Sequence, residues 1–335
     1  MNKIHNSDIF KYTSKFKGRE VPLYKRLAHA LRAIFLLPVL ITEWPALLGY
    51  RRSHSTKALM LLNDITNSTH GRGLEIVNKI ICLLRSRQTY IFDKLRPDLI
   101  TPSGRKIIDD QINELVDVIR VQGFARIPSF LTATSALDLY EGALQLPGFG
   151  NDPQKNYISQ LEWAEDPMGG PRFNVDSNSL AGLQNLELIR INPVLTQISR
   201  KYLGCPPICA SVQIWTTRPP LFISRKILDD SAMAFHCDSD YFGFLKFFLL
   251  LTEVKPSNGP FTFVRGSHRG KRHVAGRMED TEIISDRDEV LFGTGEPGDL
   301  IIADTKGWHK ATPPEHGIRT MLQVLYTTSL FGQSS

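Results

Sequence analysis

The sequence predicts an α+β protein, with helices in front and a β sandwich or barrel behind. Apolar residues recur at helical spacing before about residue 150 and again over 186–202. After that, short apolar and aromatic runs alternate with Gly and Pro turns: SVQIWTTR, FLKFFLLLTEV, GPFTFVRG, DLIIAD and MLQVLYTTSLF. Short strands at such close spacing belong to all-β sandwiches and barrels. A chain of 335 residues, 42% of them hydrophobic, suffices for one large core or for a core with a smaller helical unit.

Residues 1–25 are polar and basic, and 26–100 read as helical, with Leu74, Val77, Ile80, Ile81 and Leu84 at helical spacing behind a loop at 67–73. Pro97 and Pro102 mark a connection. Residues 106–122 form an amphipathic helix: Ile108, Ile112, Leu115, Val116 and Ile119 share one face, Asp109, Asp110, Asn113, Asp117 and Arg120 the other. Gly123 ends it. FARIPSFL (124–131) is a short strand leading into a helix over 134–145, and the β core occupies about 205–332. The chain divides into a basic, helical extension over 1–104 and a main domain over 105–335.

Net charge is +6, but residues 1–57 hold eleven Lys/Arg against three Asp/Glu, so the other 278 residues sum to −2. An enzyme core of that charge does not suit nucleic acid, and the basic segment points to an anionic partner of its own. The apolar run over 33–48 is interrupted by Pro38, Glu43 and Pro45, whereas a spanning helix needs roughly 20 apolar residues. It therefore packs on the protein's own core or lies in a membrane surface, with Lys25, Arg26, Arg32, Arg51 and Arg52 at headgroups and Trp44 at the interface. The expectation is a cytoplasmic protein with peripheral membrane contact through residues 26–57. Cys82, Cys205, Cys209 and Cys237 form no C-x-x-C and read as buried free thiols, which suits a reducing compartment.

FHCDSDYF (235–242) sets His236 two residues before Asp238. In an extended chain i and i+2 face the same side, so a strand over 233–235 would aim both at one point. His309 completes the set, entering after the turn Pro297, Gly298, Asp299 and the strand 300–303. His268, in VRGSHRG, reads as a structural turn residue. Two histidines and a carboxylate on one face of a metal suit non-haem Fe(II), which uses the open positions for a cosubstrate and oxygen; zinc is the rival. Arg319 favours iron. It lies ten residues after His309 on the following strand, where a buried guanidinium can bind the far carboxylate of a dicarboxylate 2-oxo acid.

HCD (236–238), LKFFLLLTEV (245–254), NGPFTFVRGSH (258–268), GDLIIAD (298–304), WH (308–309) and Arg319 resemble, in this order, the phytanoyl-CoA dioxygenase family of Fe(II)/2-oxoglutarate oxygenases. The GF…IPSFL element (123–131) resembles the same family. The resemblance covers about 108–332; residues 1–100 have no counterpart in it. It implies a double-stranded β-helix (jelly-roll or cupin-like) core with flanking helices, with iron at one mouth held by His236, Asp238 and His309. Arg319 would bind the distal carboxylate of 2-oxoglutarate, helped by Thr312 or Thr320, and Gln213 or Lys246 would meet the other end. O2 is the second cosubstrate. Because the carboxylate of Asp238 is present, the expected outcome is hydroxylation of a small-molecule or lipid-like substrate, with release of succinate and CO2, rather than halogenation. A zinc hydrolase on a similar barrel and a catalytically silent, membrane-associated relative are the alternatives.

Several other stretches carry expectations. The basic loop 265–273 is solvated or binds an anion. The acidic stretch 277–289 is a surface insertion. The Gly/Pro-rich stretch 148–179 borders the site entrance, where Trp163, Arg172, Phe173 and Asn174 could touch substrate. Trp215 and Trp308 are expected in the core.

Overall fold

The computed structural model describes residues 21–53, 55–86, 101–150, 158–166, 169–222, 224–270, 280–284 and 289–332. Ten strands are present among them: β1 Phe124–Ile127, β2 Gly148–Phe149, β3 Arg172–Val175, β4 Ile208–Thr217, β5 Phe244–Leu250, β6 Phe261–Val264, β7 Val290–Gly293, β8 Leu300–Ala303, β9 His309–Ala311 and β10 Arg319–Thr327. They form a seven-stranded sheet in the order β1-β8-β5-β10-β4-β3-β2 and a three-stranded sheet in the order β7-β6-β9. Every pairing is antiparallel. The two sheets make the double-stranded β-helix. The β core starts earlier in the chain than 205: β1, the short strand expected within 124–131, forms one edge of the large sheet, and β2 and β3, too short to announce themselves, extend it on the other side.

Burial on both faces explains why β5 reads as an apolar run broken only by Lys246. All seven of its residues are buried, as a strand covered on both faces requires. Leu245, Phe247 and Leu249 pack under helices Asp109–Gln122, Ala133–Leu144 and Pro193–Leu203, while Phe248 and Leu250 meet Phe261 and Phe263 of the small sheet inside the barrel. Lys246 shares that inner face.

Helix Asp109–Gln122 ends at Gly123, whose φ of 79° suits a residue without a side chain. A Cβ there would strike His268 and Phe263. His268 is the turn residue the sequence suggests: it is buried, and its Nε2 lies 3.0 Å from the Arg120 carbonyl. A carbonyl only accepts, so this nitrogen carries a proton. Burial pushes its pKa down to about 4 from an ordinary 6.5. A depressed folded pKa contributes stability above pH 6.5 that is lost as pH falls toward 4, about 3 kcal/mol in all. His268→Gln keeps a donor for the carbonyl and titrates nothing. Relative to it, urea unfolding of the wild type should lose that amount between pH 7 and 4; parallel curves would show that His268 is not the titrating group.

The N-terminal helices are α1 Leu23–Leu36, α2 Pro38–Thr42, α3 Trp44–Leu47, α4 Thr56–Thr69 and α5 Arg72–Ser86. The loop expected over 67–73 shrinks to His70 and Gly71, both at positive φ. These helices share a cluster with Phe242 and Phe331 of the barrel, whose rings stack at 5.3 Å. Hydrogen bonds reinforce the joint: Ser239 Oγ to Asn63 Oδ1 (2.6 Å), Thr328 Oγ1 to Asn78 Oδ1 (2.6 Å), and Arg85 to the Thr328 carbonyl. The apolar run 33–48 divides its residues: Ala33, Val39, Ala46 and Leu47 are buried, while Ile34, Phe35, Leu37, Ile41 and Trp44 face out. No helix among the described residues is long and apolar enough to cross a membrane. All four cysteines are free; Cys205 and Cys237 are buried, but Cys82 and Cys209 only partly so.

Candidate functional site

His236 and His309 are joined by their backbones. Each amide donates to the other's carbonyl at 3.0 Å, an isolated antiparallel bridge that sets the two side chains next to each other. Residues 233–235 are not the strand expected; the bridge to β9 supplies the extended geometry instead. The imidazole centroids are 4.2 Å apart. His236 Nδ1 lies 2.9 Å from the Ala234 carbonyl and His309 Nδ1 2.9 Å from the Gly307 carbonyl. Both Nδ1 atoms therefore donate to backbone carbonyls, and this turns both Nε2 atoms toward Asp238. Asp238 is fixed by its amide, which donates to the Thr305 carbonyl at 2.9 Å. Its oxygens lie 3.7 Å from His236 Nε2 and 3.4 Å from His309 Nε2. One ligand atom from each of the three residues falls within 4.8 Å of the others, the spacing of donors around a single ion.

Lys246 does not stand as a free cation for a cosubstrate. Its Nζ donates to Asp238 at 2.7 Å and to Asp240 at 2.8 Å. Burial would push the Asp238 carboxyl up, but Lys246, His309 and His236 outweigh it and hold the group well below the usual carboxylate range. Burial and the neighbouring Asp238 push Asp240 up instead. Lys246 thus steadies the carboxylate that faces the histidines, as an outer partner of a metal ligand does.

The three residues open into a cavity of about 950 Å3 inside the barrel. Arg319 lies in its wall and is 1% exposed. Its Nη2 reaches Thr217 Oγ1 at 3.4 Å, while Nε and Nη1 find no hydrogen-bond partner among the described residues. Burial and the nearby Arg172 push its pKa down to about 9. A cation so placed has no counter-anion among the described residues, and two unsatisfied donors on one planar fork match a carboxylate. The donor set at one end and this orphaned guanidinium at the other fit Fe(II) and 2-oxoglutarate.

Among the cosubstrate candidates, Gln213 lines the cavity, 3.4 Å from Gln323 Nε2, which faces it across β4 and β10. Thr320 requires correction. It follows Arg319 on β10, so the pleat turns it to the opposite face, where its Oγ1 lies 2.8 Å from Thr216 Oγ1. Thr312 pairs with Thr262 at 2.6 Å. Of the entrance candidates, Arg172 lines the cavity and lies 4.5 Å over the Trp215 ring. Asn174 holds Arg172 Nε at 2.9 Å, but Trp163 and Phe173 are buried in the main core. Trp215 and Trp308 are both core, as expected, and Trp215 also borders the cavity. From the insertion, Ile283 packs with Phe235 and Trp308, and Asp280 pairs with Lys310 beside His309; residues 271–279 and 285–288 lie outside the described residues. Gln323 and Arg52, also in the wall, were missed. Gln323 had a signal, four residues after Arg319 on the same strand face; Arg52, reaching in from the N-terminal helices, had none.

Fold and site together define a non-haem iron oxygenase. Residues 119–317, about three-fifths of the chain, match the model of the phytanoyl-CoA dioxygenase (PhyH) family. The chain belongs to that family: it is an oxidoreductase that uses Fe(II), 2-oxoglutarate and O2. His236, Asp238 and His309 fall inside the match; Arg319 lies two residues past its end. The zinc-hydrolase alternative falls with this assignment. No match is found among curated proteins.

The chain is also similar to solved structures. One is EvdO2 from Micromonospora carbonacea var. aurantiaca, 15% identical, TM-score 0.48, covering 67% of this chain and 92% of that one. Another is the non-haem α-ketoglutarate-dependent epimerase SnoN from nogalamycin biosynthesis, 15%, TM-score 0.46, covering 66% and 82%. A third is EctD from S. alaskensis with 2-oxoglutarate and 5-hydroxyectoine, 15%, TM-score 0.45, covering 70% and 82%.

Proposed function

We propose that the chain hydroxylates a small-molecule or lipid-like substrate, with His236, Asp238 and His309 as the iron ligands and Arg319 as the anchor of the distal carboxylate of 2-oxoglutarate. The observation that carries this is the buried Arg319 fork, unpartnered on two of its nitrogens, in the same cavity as the three donors. When bound, iron with 2-oxoglutarate and O2 supplies the oxidising power, releasing succinate and CO2. The chain's own residues do the rest. Two imidazoles locked by Ala234 and Gly307 hold their Nε2 atoms in fixed directions, Lys246 keeps Asp238 ionised, and the apolar wall of Phe248, Phe261 and Met321 excludes water from the reacting carbon. The carboxylate at Asp238 favours oxygen insertion, since it fills the position a halide would need.

Residues 105–335 make the oxygenase domain in this proposal and 1–104 an added extension. The enzyme is cytoplasmic, consistent with its free thiols, and meets a membrane peripherally through residues 26–57. The test is anaerobic titration of purified protein with Fe(II) and 2-oxoglutarate, following the visible charge-transfer band of the chelate. Succinate release and a product 16 mass units heavier should follow during substrate screening. Full iron loading without the band would defeat the cosubstrate assignment, and succinate without oxygen in the product would defeat hydroxylation.

A further inference from the structure

Helix α1 is inverted relative to a helix packed on a water-soluble core. Three of its polar side chains reach across to α4: Arg26 donates to the Ser68 carbonyl at 3.2 Å, and Arg32 Nε to Asp64 at 2.6 Å, with His29 Nδ1 2.7 Å from the same carboxylate. Its large apolar residues turn outward. Leu23, Leu27, Leu31, Ile34 and Phe35, spaced as one helical stripe, are all more than half exposed, Phe35 at 82%. Ile41 at 79% and Trp44 carry the exposed apolar surface on through α2 and α3. Of 24 exposed large hydrophobic residues among those described, 15 fall between Leu23 and Leu84, and the remaining nine are spread from Ile108 to Ile318. Scattered apolar residues need no explanation, but a continuous stripe does.

Charge says what covers it. Described residues 21–86 hold nine Lys/Arg against Glu43, Asp64 and Glu75, and two of those three acids are buried. The preceding twenty residues add five Lys/Arg against Asp8 and Glu20. A second copy seated on this face would bring the same positive excess against itself. An anionic bilayer neutralises it, accepts the apolar stripe below the headgroups and suits aromatic residues such as Tyr24 and Trp44 at the interface.

We propose that the α1–α3 face docks this protein on the surface of an anionic lipid bilayer, with Leu27, Leu31, Phe35 and Ile41 inserted and Lys25 among the headgroups. Resting on the oxygenase proposal, the docked segment serves the site: Arg52, shortly after α3, lines the cavity and bonds the Ala210 carbonyl, so the membrane-facing part of the chain also forms part of the wall that receives a lipid-like substrate.

The test is co-sedimentation of the full chain, loaded with Fe(II) and 2-oxoglutarate, with phosphatidylcholine–phosphatidylserine vesicles and with phosphatidylcholine vesicles. The wild type should bind the former, less so at high salt. The double variant Leu31→Ser/Phe35→Ser should lose about tenfold or more of that binding. Its melting temperature should hold, since both residues are exposed; Leu27→Ser/Ile41→Ser gives an independent pair. Equal binding by variant and wild type would overturn the proposal, as would equal binding to neutral vesicles. So would failure to bind vesicles together with a dimer that the variant dissolves, which would make a second copy the occupant. The chelate band separates the two proposals: band without vesicle binding defeats docking alone, and vesicle binding without band defeats the oxygenase site alone.

Discussion

His309→Ala is expected to abolish Fe(II)-dependent turnover and to weaken iron binding by more than the 10- to 100-fold typical of losing an outer partner of a ligand. The expectation follows from how little else in the cavity can substitute. His236 and Asp238 alone offer two donors. Lys246 is a cation, and Asp240 is held by it. The fold should survive, because the backbone pairing of residues 236 and 309 uses amides and carbonyls that alanine keeps. Circular dichroism should therefore match the wild type while calorimetric iron binding disappears. His268→Gln is the matched control, another buried histidine of the same barrel whose ring faces the Arg120 carbonyl. It should bind iron normally. Equal iron affinity in wild type and His309→Ala would move the metal elsewhere.

The donor set was legible because it is compact in sequence. His236 and Asp238 sit two apart, and the glycine-flanked runs around residues 258–268 and 298–309 keep a recognisable order. Arg319 was legible as the one strand-borne cation after His309 that heads an apolar run. What was not legible depends on the pleat and on chain ends that meet in space. Thr320 looked like a helper of Arg319, but the strand's alternation turns it onto the helix-covered face. Met233, Ala234 and Phe235 have strand composition, yet only isolated bridging forms there, and beyond it the Asp238 amide bonds to the Thr305 carbonyl. The strands β2 and β3 were hidden by brevity: two to four residues carry too little periodicity to register. The inversion of α1 was hidden for another reason. Period alone shows that a helix has two faces, and only the buried Asp64, which holds Arg32 and His29 against α4, decides which face is covered.

Arg319→Met should produce opposite effects on stability and on cosubstrate binding. In the ligand-free protein Arg319 is a buried cation with two unpartnered nitrogens, next to the like charge of Arg172. Replacing such a group with an apolar side chain of similar length removes a desolvation cost, so the ligand-free variant should melt higher than the wild type. The binding of 2-oxoglutarate should weaken at the same time by about 3–4 kcal/mol, or about 10²- to 10³-fold, the loss expected when a desolvated charge pair loses one partner. Iron affinity should not change, because Arg319 is not among the three donors. Arg319→Lys should fall between, since an ammonium keeps the charge but cannot offer two parallel hydrogen bonds. The measurement is a pair of thermal melts with and without 2-oxoglutarate, read beside the chelate titration. In the wild type the cosubstrate should raise the melting temperature strongly; in Arg319→Met it should raise it little from a higher start. If Arg319→Met binds 2-oxoglutarate as the wild type does, the distal carboxylate is held by another cation of the wall, and Arg172, stacked on Trp215 in the same strand row, is the residue to replace next.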